Sequence, residues 1–218
     1  TQVQRSKSHS KPLQLVPKSL NQEKYILALL DENIDIVVGV GPAGTGKTYL
    51  AMLAAIKALR SGECDKIILT RPAVGVDDEK HGFLPGDINQ KMEPWTRPLL
   101  DVLREFYNAK EIAHMLEEQI VEIAPLAFCR GRNFKHSYVV LDEAQNATKS
   151  QIKLFLTRLG MNAKIIITGD PYQTDIGQNS GLMEIVDSLK DVNGIGIMQF
   201  TEKAIVRHPL IPEILKRV

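Results

Sequence analysis

Three short stretches of this chain carry residue types whose spacing suits phosphate chemistry. The first, residues 41–48, reads Gly-Pro-Ala-Gly-Thr-Gly-Lys-Thr and fits the phosphate-binding-loop pattern G-x-x-x-x-G-K-[ST]. Gly41, Gly44 and Gly46 let the backbone turn tightly and approach a polyphosphate, with Pro42, Ala43 and Thr45 completing the wrap. The backbone N–H groups and the following helix N-terminus favour an anion. Lys47 supplies a mobile charge for the β and γ phosphates, and Thr48 a hydroxyl for Mg²⁺. Four fixed positions at this spacing should match by chance in roughly one chain of this length in a hundred. The alternative is a glycine-rich turn with a solvated lysine. The pattern points to a nucleoside triphosphate, ATP or GTP.

The second stretch is Asp142-Glu143-Ala144-Gln145, which ends an apolar run at 138–141. Two adjacent carboxylates at the end of a buried strand need a reason, because burying charge is costly. Asp142 facing a Mg²⁺ shell supplies one, and Glu143 is then placed to polarise the water that attacks the γ phosphate. Helix-capping acids are the plainer reading. The third stretch, Gly169-Asp170-Pro171-Tyr172-Gln173, ends in a neutral bidentate amide. Gln173 can touch both a γ-phosphate oxygen and the attacking water; the plainer reading is a strand-to-turn junction.

These stretches need elements to hold them. Residues 36–40 are a β-branched run that reads as a buried strand, and 49–59 a helix rich in Ala and Leu. Further strands are predicted at 65–70, 138–141, 163–168 and 196–201, with 120–124 as another candidate. Helices are predicted at 20–32 (capped by Ser19), 94–107, 109–118, from Thr148 or Ser150 to 159, at 181–189 and at 210–217. Strands alternating with helices predict an α/β domain with a mostly parallel sheet and helices on both faces. In such sheets ligands meet residues just past the strand carboxyl ends, which places Arg71, after Thr70, to meet an anion, or to ion-pair on the rim.

Residues 72–135 are too many for a plain crossover and read as an insertion-like segment where a partner surface is carried. Within it, Phe128-Cys129-Arg130-Gly131-Arg132-Asn133-Phe134 sets two arginines between aromatics. Arg130 and Arg132 suit base stacking and phosphate contact, or a subunit contact, or a solvated loop. Upstream, Gln22 can form paired hydrogen bonds to the N6 and N7 edge of adenine; a surface amide is the other reading.

The 218 residues fit one domain at 20–218 behind a basic tail at 1–19, which contains Arg5, Lys7, Lys11 and Lys18 and reads as flexible. With 27 basic against 26 acidic residues, net +1, the composition does not advertise a polyanion partner but leaves room for a local groove. Cys64 and Cys129 form no CxxC pattern and read as reduced, buried thiols. No apolar run reaches membrane-spanning length and no signal-peptide pattern is visible, so a cytoplasmic protein without membrane contact is expected.

Gln22, 41–48, Thr70-Arg71-Pro72, 142–145 and Gly169-Asp170-Pro171-x-Gln173 together resemble the Q motif and motifs I, Ia, II and III of superfamily 1 helicases, in order. The fuller resemblance, over about 20–218, is to PhoH-like ATPases, the phosphate-starvation-inducible family. It is carried also by Gly82-Phe83-Leu84-Pro85-Gly86-Asp87, Ala124-Pro125-Leu126-Ala127-Phe128-x-Arg130-Gly131-Arg132 and Val206-Arg207-His208-Pro209. The resemblance implies a RecA-like core in which the motif III strand separates the two Walker strands. It implies Mg²⁺-dependent ATP hydrolysis and a link to RNA, sometimes with unwinding. A superfamily 1 helicase holds ATP between two RecA-like domains, and one is read here, so a homo-oligomer, taken as a hexamer, is expected to complete the site. Arg207 resembles the motif IV arginine that reaches the γ phosphate, in cis or from a neighbour.

The leading expectation is therefore an ATPase that acts on or is regulated by single-stranded RNA. A nucleotide-gated protein-interaction switch without unwinding is the alternative. A small-molecule kinase is disfavoured, because Glu143 and Gln173 position water rather than an acceptor hydroxyl.

Overall fold

The computed structural model describes residues 12–72 and 97–201. Residues 1–11 of the tail, the 82–87 stretch, Arg207 with its neighbours and the helix expected at 210–217 lie outside the described residues.

Six strands form one sheet: β1 (Ile36–Val40), β2 (Lys66–Arg71), β3 (Val121–Pro125), β4 (Ser137–Leu141), β5 (Lys164–Gly169) and β6 (Ile195–Gln199). Their order is β3-β2-β4-β5-β1-β6 and every pairing is parallel. The strand that leads into 169–173 thus lies between those that lead into 41–48 and 142–145, as the resemblance implies. The run at 121–125 is a true strand and caps the sheet edge beside β2.

All five residues of β1 and all five of β4 are buried, as expected where helices cover both faces. Side chains alternate between two cores. On one face Val37, Ile67, Leu69, Val140 and Ile166 pack against helix α1 (Leu20–Leu30), α2 (Lys47–Ser61), helical residues 97–104 (α3) and α4 (Ala109–Glu117). On the other, Val38, Ile68, Val139, Leu141 and Ile167 pack against α5 (Lys149–Leu156) and α6 (Leu182–Leu189). Each fully buried aliphatic or aromatic side chain stabilises the fold by about 1.5–3 kcal/mol.

Local chemistry sets the helix ends. Ser19 Oγ accepts the Gln22 N–H at 3.2 Å, and Thr148 forms a capping box with Gln151. Helix α2 begins two residues earlier than its composition predicts, because Gly46 in the left-handed region is its cap and offers no side chain to the first N–H groups. No side chain caps them. Register aligns Val40 with Gly169, Leu141 with Ile167 and Thr70 with Leu141, so the carboxyl ends of β1, β5, β4 and β2 share one edge. Loop 41–46, the 142–146 turn and the 170–175 turn are therefore brought together there.

Candidate nucleotide site

Loop 41–46 bends back on itself at glycines in the left-handed region. A Cβ on Gly41 (φ 142°) would lie 2.4 Å from the Phe200 carbonyl oxygen, and one on Gly46 (φ 83°) would lie 2.8 Å from Gln22 Nε2. Neither position tolerates a side chain. The Gly41 N–H donates to the Gly169 carbonyl at 3.1 Å, tying the loop to β5. Lys47 curls into the loop: its Nζ donates to the carbonyls of Gly41 (2.7 Å) and Pro42 (2.8 Å) and to Thr45 Oγ1 (3.1 Å). Burial lowers its pKa, an effect partly offset by the charges of Asp170, Asp142 and Glu143.

Beside the loop, Asp142 is 3% exposed and fully engaged. Its Oδ1 accepts the hydroxyls of Thr48 (2.7 Å) and Thr168 (2.6 Å), and its Oδ2 accepts Arg71 Nε (3.0 Å) and Nη2. Among the described residues no cluster of three or more His, Cys, Asp or Glu side chains can hold a metal. Mg²⁺ needs no such cage, since it keeps most of its waters and takes one or two protein oxygens plus substrate phosphates. Thr48 Oγ1 against Asp142 Oδ1 is a donor set of that kind.

Glu143 follows with φ 56° and ψ 38°, a left-handed conformation on a non-glycine residue. Such strain costs about 1–3 kcal/mol and persists only where the surroundings enforce it. Its carboxylate is exposed to a cavity of about 250 Å³ lined by Ala43, Lys47, Thr48, Asp142, Asp170 and Gln173. The cavity brings together a glycine-rich loop, an ammonium, a hydroxyl–carboxylate pair and a second carboxylate. That set can bind a polyphosphate and deliver water to its end.

Gln22 is buried and lies against the loop rather than on the surface. Its Nε2 donates to the Thr45 carbonyl at 2.9 Å and its Oε1 accepts the Lys18 N–H at 2.8 Å. One N–H and one lone pair of the amide remain for a base. Another cavity, of about 310 Å³, lies next to it and is lined by Gln14, Val16, Lys18, Tyr49 and Leu53 as well as Gly44 and Gly46.

The arginines are not placed alike. Arg71 reaches the site through Asp142. Arg130 is exposed after the 126–129 turn at the carboxyl end of β3. Arg132 turns away: both its Nη atoms lie on the Glu122 carboxylate, Nη2 at 2.8 Å, and Lys66 Nζ reaches the same group at 3.4 Å. The sequence presents the two as one pair, and the structure separates them.

The roles of four contributors escape sequence reasoning, two of which, Asp170 and Gln145, sit inside motifs named above. Thr168 serves Asp142. Asp170 Oδ2 accepts the Ala43 N–H at 2.9 Å. Phe200 packs under Gly41, its ring centroid 5.8 Å from Lys47 Nζ. Gln145 bonds to Glu143 and Asp170. The available signal is a polar residue closing an apolar strand, as Thr168 closes 165–167.

A parallel sheet in this order, with a glycine-rich phosphate loop after β1 and paired acids after β4, defines a RecA-like P-loop NTPase fold. The profile of the family described as PhoH-like protein matches residues 14–218, and the chain belongs to that family. It is 48% identical over 201 residues to a PhoH-like protein of Bacillus subtilis (strain 168), covering 91% of this chain and 62% of that protein. It is 40% identical over 198 residues to Protein PhoH of Escherichia coli (strain K12), covering 89% and 55%. The chain thus spans less than two thirds of these relatives. Among solved structures, the large terminase of a thermophilic bacteriophage shares the fold with TM-score 0.54 at 10% identity, over 89% of this chain and 49% of that one. Among the described residues no helix is long and apolar enough to cross a membrane.

Proposed function

We propose that this chain is an ATP-binding, Mg²⁺-dependent ATP-hydrolysing core that acts on or responds to RNA within a homo-oligomer. The observation that supports hydrolysis is the convergence of Lys47, Thr48, Asp142, Glu143 and Gln173 on one cavity. Loop N–H groups and Lys47 bind and orient the β and γ phosphates, Lys47 exchanging its loop carbonyls for phosphate oxygens. Mg²⁺, held through Thr48 and Asp142, supplies neutralisation of charge on the phosphate oxygens. Glu143 takes a proton from water as the new O–P bond forms and the bond to the ADP oxygen breaks. Gln173 orients that water. The cavity beside Gln22 takes the base.

The link to RNA rests on the resemblance and on exposed groups at the strand carboxyl ends, Phe128 (55% exposed) and Arg130 among them. The second reading, a nucleotide-gated protein switch, draws on a different observation: Leu20 and Leu27 stand 65% and 64% exposed on one side of α1, a surface suited to a protein contact.

Phosphate release measured with and without single-stranded RNA tests the proposal. Glu143→Gln should retain nucleotide and turn over at least roughly a hundredfold more slowly, the scale of a lost general base. Asp142→Asn should instead weaken Mg²⁺-dependent binding. Equal loss of affinity in both variants contradicts the division of roles. RNA stimulation supports the first reading over the switch.

A further inference from the structure

Gln145 is 1% exposed, and every polar group of its side chain is in use. Nε2 donates to Glu143 Oε2 at 2.6 Å and to the Gln173 carbonyl at 3.3 Å. Oε1 accepts the Asp170 N–H at 3.0 Å. The Gln145 carbonyl accepts the Thr174 hydroxyl at 3.0 Å. Asn146 and Asp175 add a second clasp, with the Asp175 N–H on Asn146 Oδ1 at 2.8 Å and Asn146 Nδ2 on Asp175 Oδ2 at 3.2 Å. The fold leaves room for this approach at Gly169, where a Cβ would lie 2.9 Å from Gln145 Oε1 and 2.7 Å from Leu182 Cδ2.

These bonds continue to the phosphate loop. Asp170, whose N–H is held by Gln145, accepts the Ala43 N–H through its own Oδ2 at 2.9 Å. A continuous path therefore runs Ala43, Asp170, Gln145, Glu143. Ala43 and Asp170 both line the cavity that Glu143 faces. A polyphosphate in that loop competes with Asp170 for loop N–H groups and repels its carboxylate. Asp170 must then shift, and its N–H carries the Gln145 amide with it. At the far end stands Glu143, on a strained backbone, with one carboxylate oxygen held by Gln145. A side chain so held has its other oxygen aimed by whatever moves the amide.

We propose that Gln145 is a positioning residue that makes the aim of Glu143 depend on the filling of the phosphate loop. It acts through Glu143, which it holds, and Asp170, whose N–H it accepts. The proposal rests on the reading of the cavity as a nucleotide site. Gln145 bonds in the sense needed, donating towards the base and accepting from the loop side, and glutamate at this position would preserve only the second.

The test uses Gln145→Met, which keeps length and removes the side-chain hydrogen bonds, and Gln145→Glu, which keeps the acceptor for Asp170 and removes the donors. Hydrogen exchange is followed at 41–48 and 142–147 with and without a non-hydrolysable ATP analogue and Mg²⁺. In the unmodified chain the analogue should slow exchange in both segments. In Gln145→Met it should slow exchange at 41–48 alone. Asp170→Ala, which cuts the path on the other side of Gln145, should uncouple the same segment. Both Gln145 variants should lose about tenfold to a hundredfold in kcat, the scale of a small misplacement, while analogue affinity stays within about threefold. Loss of kcat and affinity together in Gln145→Glu marks a merely structural role and overturns the proposal. So does equal protection at 142–147 in Gln145→Met and the unmodified chain, an outcome that leaves the nucleotide reading intact. No protection at 41–48 in the unmodified chain defeats the nucleotide reading, and the coupling falls with it.

Discussion

Arg71 lies on Asp142 from the side opposite Thr48, so a buried carboxylate has a guanidinium on one oxygen and two hydroxyls on the other. The side chains are 17% and 4% exposed. At that depth an unpaired carboxylate is costly, and Arg71 removes most of the cost. If Thr48 and Asp142 hold Mg²⁺ as proposed, that cation would take over the neutralising role.

Arg71→Ala should therefore destabilise the metal-free chain by about 3–5 kcal/mol, the usual consequence of breaking a buried pair. Added Mg²⁺ should restore part of the lost melting temperature, and more than it adds to the unmodified protein. Thermal melts with and without Mg²⁺ measure both. A variant as stable as its parent, or one indifferent to Mg²⁺, rules out this relationship.

Lys47→Ala should bind no nucleotide, because the loop loses its only ammonium. Arg207, outside the described residues, is proposed to reach the γ phosphate of a neighbouring subunit. Mixing Arg207→Ala with Lys47→Ala subunits should then recover turnover that neither has alone, since an arginine on the γ phosphate accelerates hydrolysis by about 10³ or more. No recovery, with exchange of subunits verified, excludes a trans arginine.

The two arginines of 130–132 should separate in experiment. Arg132→Ala strands Glu122, whose carboxyl burial raises but Arg132 and Lys66 hold below its ordinary value. Since a depressed carboxylate stabilises above its unfolded pKa, the defect should be full at neutral pH and fade as the pH falls into the carboxylate range. Arg130→Ala should leave the melting curve alone and weaken single-stranded RNA binding or assembly. Identical behaviour of the two variants contradicts the split.

Cys64 and Cys129 are both buried, and burial pushes the Cys64 thiol up to about 11. At pH 8 about one molecule in a thousand then carries that thiolate. Alkylation should be slow in the native chain and fast in denaturant. Rapid native labelling of Cys64 would disprove its enclosure.

Much of this architecture is readable from residues. The β-branched runs at 36–40 and 165–167 and the apolar run at 138–141 announce buried strands, and the glycine spacing announces the loop. Ser19 and Thr148 announce their helices. What escapes is whatever depends on neighbours distant in sequence. Arg132 chooses Glu122 because β2 and β3 pair, and no local pattern encodes that. Gln145 sits inside a recognised motif, yet its partners come from the 169–175 turn, so its chemistry is invisible until the strand order is known. Helix α2 starts early because a left-handed Gly46 is its cap, a backbone fact that composition does not carry.

Phe200 closes β6, its N–H on the Val40 carbonyl at 2.7 Å, its ring edge-on to Tyr25 at 5.3 Å and its carbonyl under Gly41. The polypeptide passes beyond Thr201 from this point. Any Cβ at Gly41 would meet both the Phe200 carbonyl oxygen (2.4 Å) and the Phe200 Cβ (2.8 Å). The glycine at 41 is thus demanded as much by the end of β6 as by the turn of the loop, so a mutation at either residue is felt at the other.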